Sequence, residues 1–381
     1  MKTSCLSAIA FCASLILFCS CGEKKSDIVS IDLKNCAAPS ELLEPDFEII
    51  PLETTEESLI AYLDKVKICD SCFFISDRTQ KAILIFDWKG KFVNKICRLG
   101  RGSGEYTDIS DFDVYNGYVY VYSGGLGKIL RYNFNGKYVD CSEELDADCR
   151  FILPINNDSI LLFADNTSPL YKQNFSILDW NSNKIVARWD EYGDNSGMTI
   201  DRYAMNRTDD GILLSKSFDH ALYKYDHSGF GKLIEFDFPG IDPIPETPVN
   251  HYEKSKFIGQ NSMCVVSTFE QAMMYKGKLY VDYSCTATRP HNGLEVSELK
   301  TYLSEINLDT KEHRTIEIGY LMDYKDYPFI GHTVALQDGI LITEELCAGI
   351  VKWSSHLMTQ FPEIANIKED DNPFLVVHHI K

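Results

Sequence analysis

Hydrophobic residues occur along nearly the whole chain in short runs that turn-forming residues separate. Typical runs are 82–86 and 118–122, which are rich in aromatic and β-branched side chains. Glycine, asparagine and aspartate follow most of the runs, a pattern typical of strands joined by tight turns. Helical periodicity is limited to short stretches around 252–257 and 356–365. The pattern therefore predicts an all-β fold.

One unit recurs: a hydrophobic strand that ends in an aromatic or aliphatic residue, then Asp or Asn, a turn and a second strand. The residue before the Asp or Asn is at positions 86, 132, 178, 225 and 306, and a degenerate sixth unit is at 350–353. Three successive steps are 46, 46 and 47 residues. The long step from 225 to 306 indicates an insertion, which we place at about 239–275 because prolines interrupt the β pattern there.

A repeat of this length provides about four short strands, and such a sheet cannot bury both faces by itself. Radial packing of the sheets would bury each face against a neighbour. The sequence therefore predicts a six-bladed β-propeller at 47–381, with about four antiparallel strands in each blade. The alternative is a pair of open β-sandwiches. Strand-like segments at 47–52 and 374–378 are both candidates to complete the last blade.

The first 20 residues have the features of an export signal. Lys2 precedes an apolar run at 6–18, which is shorter than the roughly 20 residues of a transmembrane helix. The sequence at 18–21 is similar to a bacterial lipobox, in which the last cysteine receives the lipid. We therefore predict a signal peptide at 1–20, lipidation of Cys21, a polar tether at 21–46 and anchoring in the outer membrane, on its periplasmic or its surface side. A conventional signal peptide with incidental cysteines is the alternative.

The chain is strongly acidic, with a formal net charge of −19 at pH 7. Such a charge repels nucleic acid and anionic lipid surfaces. The sequence therefore argues against nucleic acid as a partner, and it leaves the lipid anchor as the predicted contact with the membrane.

Cys69 and Cys72 form a close cysteine pair in the predicted propeller. Their spacing is compatible with a redox or zinc site. The two residues between them also have the character of a turn between the strand-like runs 66–69 and 72–76. Since no second C-x-x-C and no nearby histidine pair accompanies them, we favour a hairpin.

Three segments resemble the six-bladed β-propeller lipoproteins that are abundant in Bacteroidetes, which are NHL-like or TolB-like. The segments are the FDWKGKF turn at 86–92, the GRGSGEY loop at 100–106 and the DFDV strand at 111–114. Ser103 replaces the proline that is usual in the loop. The DNP sequence at 371–373 is also similar to the end of these proteins, so the resemblance extends over 47–381. The resemblance implies a propeller fold and no particular chemistry.

The GRGSGEY loop is the most distinctive local motif. Its glycines would let backbone N–H groups approach an anion, with Arg101 and Glu105 as candidate ligand-binding residues. In the other interpretation, the glycines permit a tight crossover between blades and Glu105 accepts backbone hydrogen bonds. We favour this structural interpretation.

Asp111 and Asp113 alternate with Phe112, so both carboxylates lie on one face of a strand and are candidates to line a central channel. With Glu105 and Asp108 nearby, they are also candidate ligands for calcium, which prefers several oxygen ligands. A solvated sheet edge is the alternative.

Arg289 and His291 lie in the loop RPHNG at 289–293, which combines a cation, an imidazole and turn residues. They are further candidate ligand-binding residues, although an ordinary hairpin tip has the same composition. No G-x-S-x-G motif and no H-x-H or H-E-x-x-H motif occurs. The sequence therefore identifies no catalytic residue and no resident metal.

These features favour a membrane-anchored lipoprotein whose propeller binds a protein or glycan partner at the cell envelope. The insertion would lie on the rim of a rigid ring, where binding loops commonly occur. The alternatives are a lyase or hydrolase with an active site in the central channel, with or without a metal, and a structural component of an envelope complex.

Overall fold

The structure, a computed structural model, describes residues 28–145, 149–164, 173–191, 205–216, 219–241, 265–291, 294–318, 328–329 and 331–381. Within these residues the strands form six separate sheets, five with four strands and one with five. All pairings are antiparallel except that of one added edge strand. The sheets surround a common axis, which confirms the predicted six-bladed β-propeller.

The strands are numbered in chain order, and the blades are numbered from the first one that is complete in sequence. Two strands precede it: β1 (Ile28–Ser30) and β2 (Leu43–Pro51). Blade 1 contains β3 (Lys65–Cys69), β4 (Cys72–Asp77), β5 (Ala82–Asp87) and β6 (Phe92–Ile96); blade 2 contains β7 (Asp111–Tyr115), β8 (Tyr118–Ser123), β9 (Lys128–Asn133) and β10 (Tyr138–Cys141); blade 3 contains β11 (Phe151–Asn156), β12 (Ser159–Phe163), β13 (Gln173–Asp179) and β14 (Lys184–Glu191). Blade 4 contains β15 (Met205–Thr208), β16 (Gly211–Ser215), β17 (Ala221–Asp226) and β18 (Gly229–Asp237); blade 5 contains β19 (Val265–Tyr275), β20 (Lys278–His291), β21 (Leu294–Ile306) and β22 (His313–Ile318); blade 6 contains β23 (His332–Gln337), β24 (Ile340–Glu345) and β25 (Phe374–Ile380), together with β2.

Successive side chains of a blade pack on its two neighbours. In β4, Phe73 belongs to the core between blades 6 and 1, and the adjacent Phe74 belongs to the core between blades 1 and 2. Both side chains are fully buried. Similar cores fill the other four junctions of the ring. Because each blade buries both faces, its central strands are apolar at successive positions, which accounts for the unbroken hydrophobic runs in the sequence.

A two-residue turn joins the first and second strands in all six blades. In four of these turns both central residues have positive φ, as type I′ turns require. The turn between Cys69 and Cys72 is one of the four, with φ of 48° at Asp70 and 59° at Ser71. The hairpin predicted there is confirmed, and both thiols are free.

Both ends of the chain contribute to blade 6. β2 pairs with β25, so the strand order is β2-β25-β24-β23. The sixth repeat unit predicted at 350–353 is wrong, because Cys347–Trp353 forms a helix, α1. In the other blades the repeating turn joins the third and fourth strands. In blade 6 those strands are β25 and β2, which lie at opposite ends of the sequence, so no turn connects them.

Residues 28–42 form an N-terminal belt along the outer edges of blades 4 and 5. β1 pairs in parallel with β18, the outer strand of blade 4. The N–H of Ala37 then donates to the carbonyl of Thr315 in blade 5. Val29 and Leu42 are buried against these blades. Residues 28–46, which we predicted to be tether, therefore belong to the folded body, because their apolar side chains cover outer strands that would otherwise be open edges.

The insertion predicted at 239–275 ends earlier than predicted. Residues 265–275 form β19, the first strand of blade 5, in which Phe269 and Met273 are buried. Residues 242–264, including the helical stretch predicted around 252–257, lie outside the described residues.

The helical periodicity at 356–365 corresponds to two 3₁₀ helices, Ser355–Thr359 and Pro362–Ile364. With α1 they occupy the 346–373 connection of blade 6 and pack on its buried face through residues such as Leu357 and Ile364. In the part of the chain that the structure describes, no helix is both long and apolar enough to cross a bilayer.

Candidate functional site

The two faces of the ring differ in the length of their loops. The smooth face carries the first-to-second and third-to-fourth turns, which are two to six residues long. The loop face carries the second-to-third and fourth-to-first connections. The fourth-to-first connections are 9 to 27 residues long, and the 28-residue connection 346–373 also lies on this face. Because a rigid scaffold commonly presents its ligand-binding residues on such loops, the loop face is the candidate binding surface.

A cavity of about 150 Å³ opens on the loop face near the ring axis. The first strand of each blade contributes to its wall, and these strands contact one another around the axis. Its polar and aromatic lining residues are Tyr62, Asp64, Lys65, Lys67, Arg78, Ser110, Asp111, Phe151, Asn206, Glu270, Gln271 and Gln337. All six blades therefore build one polar site.

Lys65 and Asp111 form an ion pair in the cavity wall between blades 1 and 2. Lys65 Nζ lies 2.6 Å from Asp111 Oδ1 and also donates to the carbonyl of Phe112 at 2.9 Å. Asp111 Oδ2 accepts the N–H of Ile152 in blade 3 at 2.8 Å. Burial raises the pKa of Asp111 above its usual range, although Lys65 acts in the opposite direction. One carboxylate thus links three blades.

Asp113 links blades 1, 2 and 4 further along the axis. Its Oδ1 accepts a hydrogen bond from Arg207 Nη2 at 3.0 Å, and its Oδ2 lies 3.1 Å from Lys67 Nζ. Arg207 Nε also donates to the carbonyl of Pro154 in blade 3 at 2.8 Å. Since blade 3 lies between blades 2 and 4, Arg207 reaches Asp113 past the first strand of blade 3.

The pKa values of this network follow from burial and pairing. Burial by itself raises the pKa of Asp113, but the charges of Arg207 and Lys67 outweigh it and hold that pKa well below its usual range. Burial lowers the pKa of Lys67, and Asp113 acts in the opposite direction. The network therefore keeps Asp113 ionised at neutral pH.

The sequence placed Asp111 and Asp113 on one strand face, and the structure places both carboxylates at the axis. The sequence alone did not identify the cations that pair with them, although the spacing of the repeat contains a signal for two of these cations. One 46-residue period separates Lys65 from Asp111 and Lys67 from Asp113, so the two pairs occupy matching positions in β3 and β7. Arg207 lies two blades further on and follows no such period.

The GRGSGEY loop connects blades 1 and 2, and its residues do not line the axial cavity. Glu105 accepts the N–H of Gly102 at 2.8 Å. A Cβ atom at Gly100 would clash with the Glu105 carboxylate, so the glycine makes room for this side chain. Arg101 is exposed. These contacts support the structural interpretation of the loop and leave ligand binding by Arg101 and Glu105 a prediction.

The four acidic residues considered for calcium occupy three different places. Asp108 accepts hydrogen bonds from the hydroxyls of Ser110 and Ser123, both at 2.7 Å, within blade 2. Glu105 is engaged in its own loop, and Asp111 and Asp113 face cations at the axis. In the described ranges, no three His, Cys, Asp or Glu side chains are grouped as a metal site.

Arg289 and His291 lie at the end of β20, in a long hairpin with β21 on the loop face. The pairing extends to His291 and Leu294. The side chains of Arg289 and His291 and the turn at 292–293 lie outside what the structure describes. Their role in ligand binding therefore stays a prediction.

Comparison with solved structures supports the fold. A Bacteroides fragilis protein that carries the provisional name of exported protein aligns with a TM-score of 0.70 and 16% identity, over 93% of this chain and 99% of that chain. A DUF4221 family member from Bacteroides vulgatus aligns with a TM-score of 0.56 and 13% identity, over 89% of this chain and 97% of that chain. At these identities the likeness extends to the fold alone. A comparison with curated proteins finds no match.

The family model described as a domain of unknown function, DUF4934, matches residues 31–379. This range begins within the N-terminal belt and ends in β25, so it contains all six blades. It also agrees with the resemblance to Bacteroidetes propellers that the FDWKGKF, GRGSGEY and DFDV segments indicate. The chain therefore belongs to the DUF4934 family and has the fold of a six-bladed β-propeller.

Proposed function

We propose that this protein is a lipid-anchored protein of the outer membrane, and that its loop face binds a glycan through the axial cavity. The observation that carries the proposal is the lining of the cavity, in which charged side chains are paired with each other and carboxamides are available. Lys65 is paired with Asp111, and Arg78 contacts Asp64 at 2.8 Å. Asn206 and Gln271 contribute carboxamide groups, whereas the Gln337 amide donates to Asp338 at 3.0 Å.

This lining fits a neutral ligand with many hydroxyl groups. A carboxamide both donates and accepts hydrogen bonds, as a sugar hydroxyl does. Asn206 Nδ2 donates to Gln271 Oε1 at 3.4 Å, a long contact that a ligand hydroxyl can replace. Tyr62 lies at the rim with 56% of its surface exposed, and an aromatic ring there can pack on the apolar face of a sugar. The cavity thus offers the polar and the apolar contacts that a glycan needs.

The volume limits how much of the ligand enters. Sites for drug-sized ligands enclose about 300–1,000 Å³, whereas this cavity encloses about 150 Å³. It therefore accepts one terminal sugar, and the remaining sugars lie against the surrounding loops.

The membrane anchor is supported by the N-terminal sequence and by the name of one structural relative. Cys21 follows an apolar run and small residues, as a lipidated cysteine does. The Bacteroides fragilis relative carries the name of an exported protein. Lipidation after export would hold the propeller at the cell envelope, where glycans are abundant ligands.

The enzyme alternative is less well supported by the geometry. A lyase or hydrolase needs an acid or base that exchanges protons with its substrate. Asp111 and Asp113, the channel carboxylates, are each held by a cation. Turnover of a bound glycan by the purified protein would favour the enzyme over the binding protein.

Ligand binding is tested with a glycan array, followed by calorimetry with the best ligand. We expect Tyr62→Ala and Gln271→Ala each to weaken binding by about tenfold or more, which corresponds to ~1.4 kcal/mol. Trp353→Ala is the control, because Trp353 is exposed on the same face and does not line the cavity. Equal affinity in all three variants would refute the cavity as the site, and an array without any bound glycan would refute the ligand class.

The anchor is tested by expression of the full chain in its own or a related bacterium and by detergent phase partition. We expect the wild type in the detergent phase and Cys21→Ser in the aqueous phase. Recovery of both proteins in the aqueous phase would refute lipidation at this cysteine.

A further inference from the structure

The hairpin between β3 and β4 places two thiols directly opposite each other. Cys69 and Cys72 are partners in the antiparallel register, on either side of the two-residue turn. Residues opposite each other in such a pair have Cα atoms about 4.5–5.5 Å apart, which lies within the range of roughly 4.4–6.8 Å that disulfide bonds span. The backbone of blade 1 therefore holds the two cysteines at a separation that a disulfide bond can bridge.

The two side chains also point to the same side of the blade. Both pack against the apolar core between blades 1 and 2, as the neighbouring Phe74 does. Burial is the main reason that the pKa of Cys69 is raised, and the charges of Asp70 and Cys72 act in the same direction. An electrostatic contribution from Cys72 requires that the two sulfur atoms are neighbours.

Both thiols are free and within reach of small molecules. Each cysteine is partly exposed beside the turn on the smooth face. Cys285 of blade 5, in contrast, is disulfide-bonded, which is typical of proteins that fold in an oxidising compartment. A thiol pair that is opposed and accessible meets suitable oxidants in such a compartment.

We propose that Cys69 and Cys72 form a thiol–disulfide exchange site whose substrate is a small disulfide, and that the pair closes into a hairpin disulfide. One thiolate attacks the small disulfide RS–SR, so that its S–S bond breaks, a mixed disulfide forms and one RS⁻ leaves. The second cysteine attacks the mixed disulfide and releases the other RS⁻. The protein loses two electrons and two thiol protons, and the small disulfide gains them as two RSH molecules. An excess of RSH reverses the reaction.

The exchange site adjoins a strand that builds the ring axis. Cys69 is the last residue of β3, and Lys65 and Lys67 of the same strand hold the axial carboxylates of Asp111 and Asp113. Closure of the disulfide joins the end of β3 covalently to β4, and reduction releases it. The redox state of the pair therefore determines whether the end of this inner strand is covalently fixed.

The test measures an equilibrium and not a rate. Burial, followed by nearby aspartate charges, raises the pKa of both thiols. Because the thiolate is the attacking species, exchange at neutral pH is slow. Long incubation of the purified, reduced protein in mixtures of reduced and oxidised glutathione, followed by acid quenching, alkylation and mass spectrometry, gives the equilibrium constant for oxidation.

One tryptic peptide, residues 68–78, contains both cysteines. The dithiol form of this peptide carries two alkyl labels, and the disulfide form carries none. We expect conversion to the unlabelled form in mixtures that contain excess reduced glutathione. Cys141 is the matched control, because it is also partly exposed and packs against the same core but has Leu130 opposite it. Cys141 should stay labelled.

Denatured protein is the second control, because a C-x-x-C segment can also close a disulfide in an unfolded chain. The hairpin holds the two thiols together, so the equilibrium constant should be at least about tenfold larger for the folded protein than in denaturing urea. A folded protein that keeps both labels, an equilibrium constant no larger than in urea, or equal loss of the label from Cys141 would overturn the proposal.

Discussion

Arg207 connects three blades through one side chain. Its guanidinium donates to Asp113 of blade 2 and to the carbonyl of Pro154 in blade 3, and it lies 4.9 Å from the centre of the Tyr115 ring. A buried carboxylate that loses a cation partner is strongly destabilised, because it cannot regain water. The charged side chains at the ring axis therefore stabilise the fold, in addition to lining the axial cavity.

Replacement of Arg207 by alanine should lower the free energy of unfolding by about 3 kcal/mol at pH 7, because Asp113 remains buried with less compensation. The pKa of Asp113 is depressed in the folded state, so its stabilising contribution is present above its unfolded pKa and is lost as the pH falls. In Arg207→Ala this loss should begin at a higher pH. Urea unfolding at pH 7 and at lower pH measures both effects.

Lys352→Ala is the control for this prediction. Lys352 pairs with Glu369 at 3.1 Å, and both side chains are about half exposed. Exposed pairs contribute roughly 0–1 kcal/mol. A similar stability loss in both variants would contradict a special role for Arg207.

Glu345, at the end of β24, makes the free energy of unfolding depend on pH in a second way. Burial, with the nearby charge of Glu344, raises the pKa of Glu345 to about 8. The folded protein thus prefers the protonated carboxyl, so the stabilising contribution is complete below the unfolded pKa of 4.5 and is lost as the pH rises towards 8. Glu345→Gln should match the wild type at pH 5 and exceed its stability at pH 9 by on the order of 4 kcal/mol.

In that measurement the contribution of His378 to the pH dependence of stability has to be separated from the contribution of Glu345. Burial lowers the pKa of His378 to about 4, so its stabilising contribution is present above its unfolded pKa of 6.5 and is lost as the pH falls towards 4. The comparison of Glu345→Gln with the wild type at each pH cancels this contribution, which is common to both. Parallel stability curves for the two proteins from pH 5 to pH 9 would contradict the assignment to Glu345.

At the scale of elements, turns and edges determine the arrangement of the blades. A two-residue turn joins the inner strands of all six blades, and in four of them both turn residues have positive φ, as in a type I′ turn, which matches the twist of the strands that it joins. The belt covers the outer edge of blade 4 with β1, where an unpaired strand would be open to association with another chain. The short strand β1 is therefore expected to matter for stability and for solubility.

Neighbouring residues of β1 provide a matched test of the belt. Val29 is 2% exposed, whereas Ile28 is 44% exposed. Val29→Asp buries an unpaired charge between blades 4 and 5 and should reduce the free energy of unfolding by about 3 kcal/mol. Ile28→Asp should change it by roughly 0.5 kcal/mol or less. Equal effects on urea unfolding would mean that β1 does not pack on the ring in solution.

At the scale of the whole molecule, the ring is closed by six apolar junctions, and its two faces carry connections of different length. Blade 6 unites β2 with β25, so the last junctions form only when both ends of the chain are in place. The smooth face consists of short turns, and the long connections lie on the loop face around the axial cavity. A rigid ring with long connections on one face is well suited to present a binding site. The chemistry of such a site depends on individual side chains and not on the fold.

The sequence by itself determined the all-β class and the repeat of the first five blades, whereas the count of six was correct although the unit assigned to the sixth blade was wrong. These features are readable because they are local: Asp87 and Asn133 hydrogen-bond the backbone of their own turns, and Phe73 and Phe74 reveal a strand that is buried on both faces. The hairpin at Cys69 and Cys72 is predictable for the same reason. Strand pairing within a blade follows from neighbouring segments of the chain.

Only the tertiary structure decided which residues meet at the axis and which strands close the ring. Arg207 and Asp113 are 94 residues apart in sequence, and their contact exists only because the ring brings separate inner strands together. The same holds for β1 on β18 and for β2 on β25, where the closing partner is distant in the chain. Such contacts depend on how the closed ring places whole blades in space, and no local pattern of residues contains that information.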